Sequence, residues 1–306
     1  MSLLSQYACD DLAGGVLTDG VGSNHGSVDG TVTTAAGGPP MDPGGSYLVL
    51  NGTGHIDLPS ITTVGVGTNV SVEVWVRRSV SSSTRESAVA VAIFAGKFEL
   101  VVGTPFGTPN TFAVDVGKAY VGSQSCVAIS TFNADEWYQL FAVMRFETKA
   151  VSDAVDNGSG VVRTTIVAHG LSSGRFVKIS GVSGTEGANG VWEVEVVDAD
   201  TVDLVGSTYD SAFVSGGQAV FGEVELYVNA VSQGVVNLNG TTLAAEYSST
   251  AWSIGSEPDK TAENDYAYPW VGDVDRVAVW DEAVDDAFIA SRYGEAANEE
   301  VPAALF

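Results

Sequence analysis

Basic residues are scarce in this chain: 13 Lys and Arg stand against 38 Asp and Glu, a formal net charge of −25 at pH 7. A field of that sign repels phosphate backbones, which excludes nucleic acid as a partner on electrostatic grounds. The acids are scattered rather than run together, so solubility in a medium salty enough to screen self-repulsion is the first reading of the charge. Cysteine is scarcer still. Cys9 and Cys126 have no CxxC spacing, so neither a zinc cluster nor a disulfide framework is expected, and both read as small buried hydrophobes. No apolar run approaches the length that crosses a bilayer, and the start Met1-Ser2-Leu3-Leu4-Ser5-Gln6-Tyr7 lacks a charged-then-apolar leader. The expectation is a chain made and released in the cytosol, with no membrane partner. Proline occupies only nine positions, and sustained helical periodicity is almost absent. What is abundant is glycine, 36 residues of it, among many Val, Thr and Ser, the composition of short strands joined by tight turns.

The strongest pattern is a β-hairpin cut in two. In Trp137–Phe146 the residues Tyr138, Leu140, Ala142, Met144 and Phe146 share one face, and in Glu223–Asn229 Val224, Leu226 and Val228 alternate with Glu223, Glu225 and Tyr227. About 75 residues with their own strand pattern separate the halves, far beyond ordinary loop lengths. The spacing predicts a domain inserted into a hairpin: one sandwich made from both ends of the chain, and a small module held out from it. Elsewhere Val70–Arg77 alternates with period two over its whole length, and Asn51-Gly52 between apolar runs is a hairpin signal, because both residues tolerate positive φ. One helix is expected after Asp285, which can cap it, carrying Phe288, Ile289, Arg292 and Tyr293.

These outer pieces resemble the laminin-G-like, concanavalin-type lectin and glucanase sandwich of bacterial and phage proteins. The motifs that carry the resemblance occur in family order: the Asp19 to Ser27 loop ending Asn24-His25-Gly26, Leu50-Asn51-Gly52 to Leu58-Pro59, Val72-Glu73-Val74-Trp75-Val76, and Trp137-Tyr138 with Leu226-Tyr227-Val228-Asn229. Ile254-Gly255, then Gly272 to Trp280 and a short helix, complete them. The insert, through Thr164 to Gly174, Val177 to Val182, Asn189 to Val194 and Ala212 to Gly217, is similar to a small β-module recurrent in tailed-phage virion proteins. Its expected core is Val177, Ile179, Trp192, Val194, Val196 and Leu204. The resemblance implies an all-β, concanavalin A-like (jelly-roll) β-sandwich over 1–148 and 222–294, an inserted small β-domain over 149–221, and a C-terminal tail, 295–306.

Glucanases on this sandwich place closely spaced acids on one strand. The nearest approaches are Glu193 with Glu195 and Glu223 with Glu225, but alternation with valine is also what a solvated outer face looks like, and a third acid is missing. His25, His55 and His169 lie beside glycine in separate turns without HExxH spacing and read as polar turn residues rather than a zinc site. No GxSxG elbow or Walker loop is present. The resemblance implies a calcium site where oxygen-rich loops meet near the chain ends, at Asp19, Asn24 and Asp275, with a purely hydrogen-bonding role for Asp275 as the alternative. Tyr266, Tyr268 and Trp270, clustered with Pro269 in one polar loop, are candidates for a glycan-stacking platform, with core packing of Trp270 as the alternative. The tail ends Val301-Pro302-Ala303-Ala304-Leu305-Phe306, and Val301, Leu305 and Phe306 are candidates for docking on a neighbouring subunit. Taken together, the expectation is a non-enzymatic virion protein, assembled in the host cytoplasm into the tail, fibre or head decoration. It would contact other virion subunits, homo-oligomerise and display its sandwich to a host-surface glycan. A free carbohydrate-binding adhesin is the alternative, and a glycan-cleaving enzyme the third reading.

Overall fold

Along Val70–Arg77, Val70, Val72, Val74 and Val76 point one way and Ser71, Glu73 and Trp75 the other, as the pleat of a strand dictates. All seven are buried, so this strand has protein on both sides. It sits inside a sheet in the computed structural model, which describes residues 2–10, 12–40, 42–61, 66–78, 86–92, 97–102, 111–117, 124–131, 133–244, 251–258, 266–267 and 269–297. The sheet runs in the order Val231–Asn237, Gln218–Val228, Trp137–Ala150, Val70–Arg77, Val271–Trp280, all antiparallel. Beyond Val271–Trp280 the edge is shared: its first half pairs with Ser46–Leu58 and its second half with Leu3–Tyr7. A bulge between Asp275 and Ala278 marks the change of partner.

A second sheet starts from the far half of Ser46–Leu58 and continues through Ala251–Ile254, Glu86–Ala92, Lys97–Val102, Thr111–Gly117 and Gln124–Thr131. Ser46–Leu58 therefore belongs to both sheets and turns the corner between them. Here the hairpin expected at Asn51-Gly52 is corrected. The strand runs unbroken through both residues, Gly52 supplies a φ of +81°, and Asn51 Oδ1 accepts hydrogen bonds from the backbone N–H (3.0 Å) and hydroxyl (2.6 Å) of Thr53. The local chemistry of a turn is spent on a kink that lets one strand change sheets.

Between the sheets lies the main core, with Leu50, Ile56, Val74, Leu140, Leu226 and Trp252 among its buried members. Each such side chain contributes roughly 1.5–3 kcal/mol relative to exposure. The outer face of the first sheet is covered by the helix Asp286–Ala297, which Asp285 caps by accepting the Phe288 N–H at 2.8 Å. Phe141, Tyr227, Trp280 and Ile289 make a second apolar layer beneath it. The same helix explains why Glu73 can be 0 % exposed: its carboxylate receives Arg292 (2.6 and 3.1 Å), Gln139 Nε2 (2.6 Å) and Trp75 Nε1 (3.3 Å).

The split hairpin pairs without a register shift from Leu140↔Val228 to Ala150↔Gln218. Between its ends the insert forms five antiparallel strands, Asp153–Asp156, Val162–Thr165, Phe176–Ser180, Gly190–Val196 and Thr201–Val205. Val177, Ile179, Val194 and Leu204 are buried in its core, while Trp192 and Val196 pack against that core partly exposed. The core also takes Ala219 and Phe221 from the hairpin. The module is not held out from the sandwich as the sequence suggested. Phe176–Ser180 pairs with the hairpin strand (Lys178↔Val220), and Phe176 and Val191 pack on the main core.

Candidate functional site

The docking of insert on sandwich leaves an open groove of about 650 Å³ at their junction, within the size range of small-molecule and saccharide sites. Its floor is the hairpin. Gly222 stands opposite Phe146, and a Cβ there would come within 2.7 Å of the Phe146 ring, so the glycine makes the space in which the ring lies. Asn69 Oδ1 accepts the Phe146 N–H at 2.6 Å. One wall is Arg175 of the insert, its guanidinium 5.5 Å from the Phe221 ring centroid. The other is the segment entering the helix, with Asp285 and Asp286.

Arg145 anchors the floor. It donates to Glu225 Oε2 at 2.6 Å and reaches Tyr227 and the Val284 carbonyl at 3.4 Å each. Glu225 also accepts the Ser232 hydroxyl at 2.5 Å, and Tyr227 donates to Asp286 Oδ1 at 2.6 Å. Burial, then the Asp286 carboxylate, pushes the Tyr227 hydroxyl pKa up. The network binds hairpin, following strand and helix entrance into one rigid unit. It also gives Glu225 a structural partner, whereas Glu193 and Glu195 lie exposed on the insert. Arg145 and Arg175 face four carboxylates in the groove, those of Glu147, Glu223, Asp285 and Asp286, so it carries a negative balance.

The glycan platform expected from sequence is corrected at Trp270. The ring is 0 % exposed and lies beneath the Arg78 guanidinium at 5.1 Å. Arg78 is in turn held by Glu86 (2.5 and 3.0 Å), which also accepts the Val271 N–H at 2.8 Å. Trp270 is the floor of that buried ion pair and offers no face to solvent. Tyr266 lies in a two-stranded ribbon with Glu257-Pro258, and Tyr268 lies outside the described residues. Val301, Leu305 and Phe306 lie outside them too.

The three residues expected to bind calcium are divided between two places. Asp19 is already satisfied: its Oδ1 accepts the N–H groups of Gln6 (3.0 Å) and Val21 (3.1 Å), and its Oδ2 that of Asn24 (3.1 Å). Burial opposes ionisation, but these amides outweigh it and hold the carboxyl below its ordinary pKa. The Asn24 amide donates to Ser5 Oγ at 2.7 Å. Asp275 faces other acids. It is 2 % exposed, its Oδ1 accepts the Arg276 N–H at 2.6 Å, and its Oδ2 has no hydrogen-bond partner. Burial, with Asp10 and Asp42 nearby, pushes its pKa up to about 8. An orphaned buried oxygen beside two further carboxylates is chemistry that a calcium ion satisfies. Asp10, Asp42 and Asp275 nevertheless do not bring three ligand atoms within reach of one ion, and Asp19 and Asn24 are held by other partners, so the expected calcium site is not assembled. Of the histidines, His169 is buried, its Nδ1 accepting the Leu171 N–H and its Nε2 against the Asp198 carbonyl (both 2.9 Å), and His25 accepts the Asp19 N–H at 3.1 Å. Both lie outside strands, as expected, but His55 is corrected: it sits within the strand Ser46–Leu58, paired with Asp29, and is not a turn residue.

No family model matches the sequence, and no curated protein matches it. Solved structures do resemble the fold. Domain 4 of AbnA, a GH43 extracellular arabinanase from Geobacillus stearothermophilus, solved with arabinotriose, superposes with a TM-score of 0.53 at 15% identity, covering 95% of this chain and 97% of that one. The binding domain of Paraclostridial Mosquitocidal Protein 1 gives 0.51 at 7% identity, and that of botulinum neurotoxin serotype G 0.50 at 9%. Here this chain is covered to 95% and 96% but spans about half of each toxin domain, 51%. At such identities the likeness is one of fold alone: an all-β, jelly-roll sandwich.

Proposed function

We propose that this chain is a non-enzymatic binding module whose groove between sandwich and insert takes a neutral saccharide. The observation that carries the reading is the groove itself. It combines one aromatic surface, Phe146, with planar polar groups on both walls, and hydroxyl groups of a sugar donate and accept to such groups at once. Its balance of two guanidinium groups against four carboxylates disfavours anionic ligands and leaves uncharged ones unpenalised. The arabinotriose of the arabinanase domain is a precedent for an uncharged oligosaccharide on this fold. Calorimetry against neutral and acidic oligosaccharides tests the reading with Arg175→Ala and Glu223→Gln. Loss of about tenfold or more in affinity for a neutral sugar, about 1.4 kcal/mol, with unchanged melting is expected. No binding at millimolar sugar, or binding that ignores both substitutions, overturns it.

The virion setting rests on the resemblance of the insert to a module recurrent in tailed-phage particles. In that setting the chain homo-oligomerises on the particle with other virion subunits and presents the groove to a host-surface glycan. A free adhesin would use the same groove, so mass spectrometry of purified particles separates the two.

A further inference from the structure

We propose that Asp29, His55 and Asp57 form a surface site for a divalent first-row metal ion of the zinc type. The strands Gly26–Ala36 and Ser46–Leu58 are antiparallel, with Asp29 directly opposite His55 and Ser27 opposite Asp57. Residues opposed across a ladder and two apart along a strand share a face. Val28, Ile56 and Leu58 take the other face, into the core, so the three ligand candidates lie together on the outside.

Their ligand atoms all lie within 4.8 Å of one another. His55 Nε2 and Asp57 Oδ1 are 3.3 Å apart. Nitrogen and oxygen ligands bound to zinc at their usual distances in a tetrahedron stand about 3.3 Å from each other, so this pair is already spaced for the metal. Asp29 is exposed and can close on the ion by side-chain rotation alone.

The site is also held firm. The His55 side chain is 9 % exposed, so the nitrogen ligand is fixed before the metal arrives. Next to Asp29↔His55 the ladder pairs Gly30 with Gly54, where a Cβ on Gly30 would lie 2.1 Å from the Thr53 carbonyl oxygen and one on Gly54 2.4 Å from the Thr31 nitrogen. Two glycines pressed backbone to backbone pin the register, and after the bulge that follows them the ladder resumes from Val32↔Leu50 to Ala36↔Ser46. One imidazole with two carboxylates favours zinc, manganese or cobalt over calcium and magnesium, which prefer all-oxygen shells, and the absence of thiolate in the trio disfavours copper(I). Three protein ligands leave a position open to water or to a donor from another molecule.

The test uses the full chain after chelator treatment and dialysis, titrated with zinc chloride in excess calcium chloride so that the acidic surface is saturated. Binding of one equivalent with a raised melting temperature is expected, and cobalt(II) should give a d–d spectrum of nitrogen and oxygen ligands. Asp29→Asn, at an exposed position, should leave melting of the metal-free chain unchanged and weaken zinc binding at least about tenfold. His55→Gln should abolish the cobalt spectrum. Zinc uptake that neither substitution changes would place the metal elsewhere and overturn the proposal, as would no uptake at millimolar zinc.

Discussion

A buried carboxyl with one oxygen unpartnered makes stability depend on pH in a direction opposite to the usual acid. Asp275 has a pKa of about 8 in the folded chain against 3.8 ordinarily, with burial as the leading cause. Between those values the folded state holds a proton that the unfolded state has released, so stability falls as pH rises from about 4 to 8 and levels off above. Asp275→Asn keeps the shape and removes the titration. Its melting temperature should fall less across that window than the parent's and exceed it at pH 8, by the equivalent of about 1–3 kcal/mol. Equal pH slopes in the two proteins would show that Asp275 is not the titrating group. Sequence could single out Asp275 but not its surroundings, because Asp10 and Asp42 reach it from a separate part of the chain. Trp270 misled for a related reason: a polar, aromatic stretch reads as a rim, and only the Arg78–Glu86 pair, which lies over the ring, makes it interior.

Among elements, the two halves of the hairpin were legible because alternation is a local property that needs no partner to be seen. What lay on their second face was not. Glu225 on the hairpin, and Ser71 and Glu73 on the strand beside it, have the pattern of a solvated surface, yet each is buried by distant partners: Arg145 for Glu225, Glu282 and Val284 for Ser71, and Arg292, 219 residues on, for Glu73. The groove was equally invisible, since its lining comes from five separate stretches of the chain, with Arg175 brought in by the insert. That docking changes what removal of the insert should do. Joining Phe146 to Gly222 through Asn-Gly preserves the paired register and supplies a two-residue turn, so the sandwich should still melt cooperatively. It strips Phe176 and Val191 from the main core, however, and their loss should cost roughly 2–5 kcal/mol. Chemical denaturation of the shortened chain measures this. Unchanged stability would mean that the insert contributes nothing to the sandwich, and loss of cooperativity that the two form one folding unit.

At the scale of the whole molecule the dominant quantity is charge. Seven Arg and Lys side chains, counting Arg77, Arg78, Arg145, Lys149, Arg163, Arg292 and Arg175, are engaged in ion pairs or over rings. More than half of the 13 basic residues are thus committed locally, which leaves most of the 38 acids to repel one another across the surface. The unfolded chain spreads the same charges over a larger volume, so repulsion destabilises the compact state selectively. Salt reduces it: the screening length falls from about 30 Å at 0.01 M to about 3 Å at 1 M, below the spacing of most surface charges. The buried pairs, Arg78 with Glu86 and Arg292 with Glu73, are screened far less because water and ions do not reach them. Melting temperature should therefore rise steadily with sodium chloride from 0.01 to about 0.5 M, and the rise should be as large with sodium chloride as with potassium chloride if screening is its cause. A fall with salt would mean that exposed ion pairs outweigh the repulsion, and would remove the physical reason to expect this chain in a salty medium.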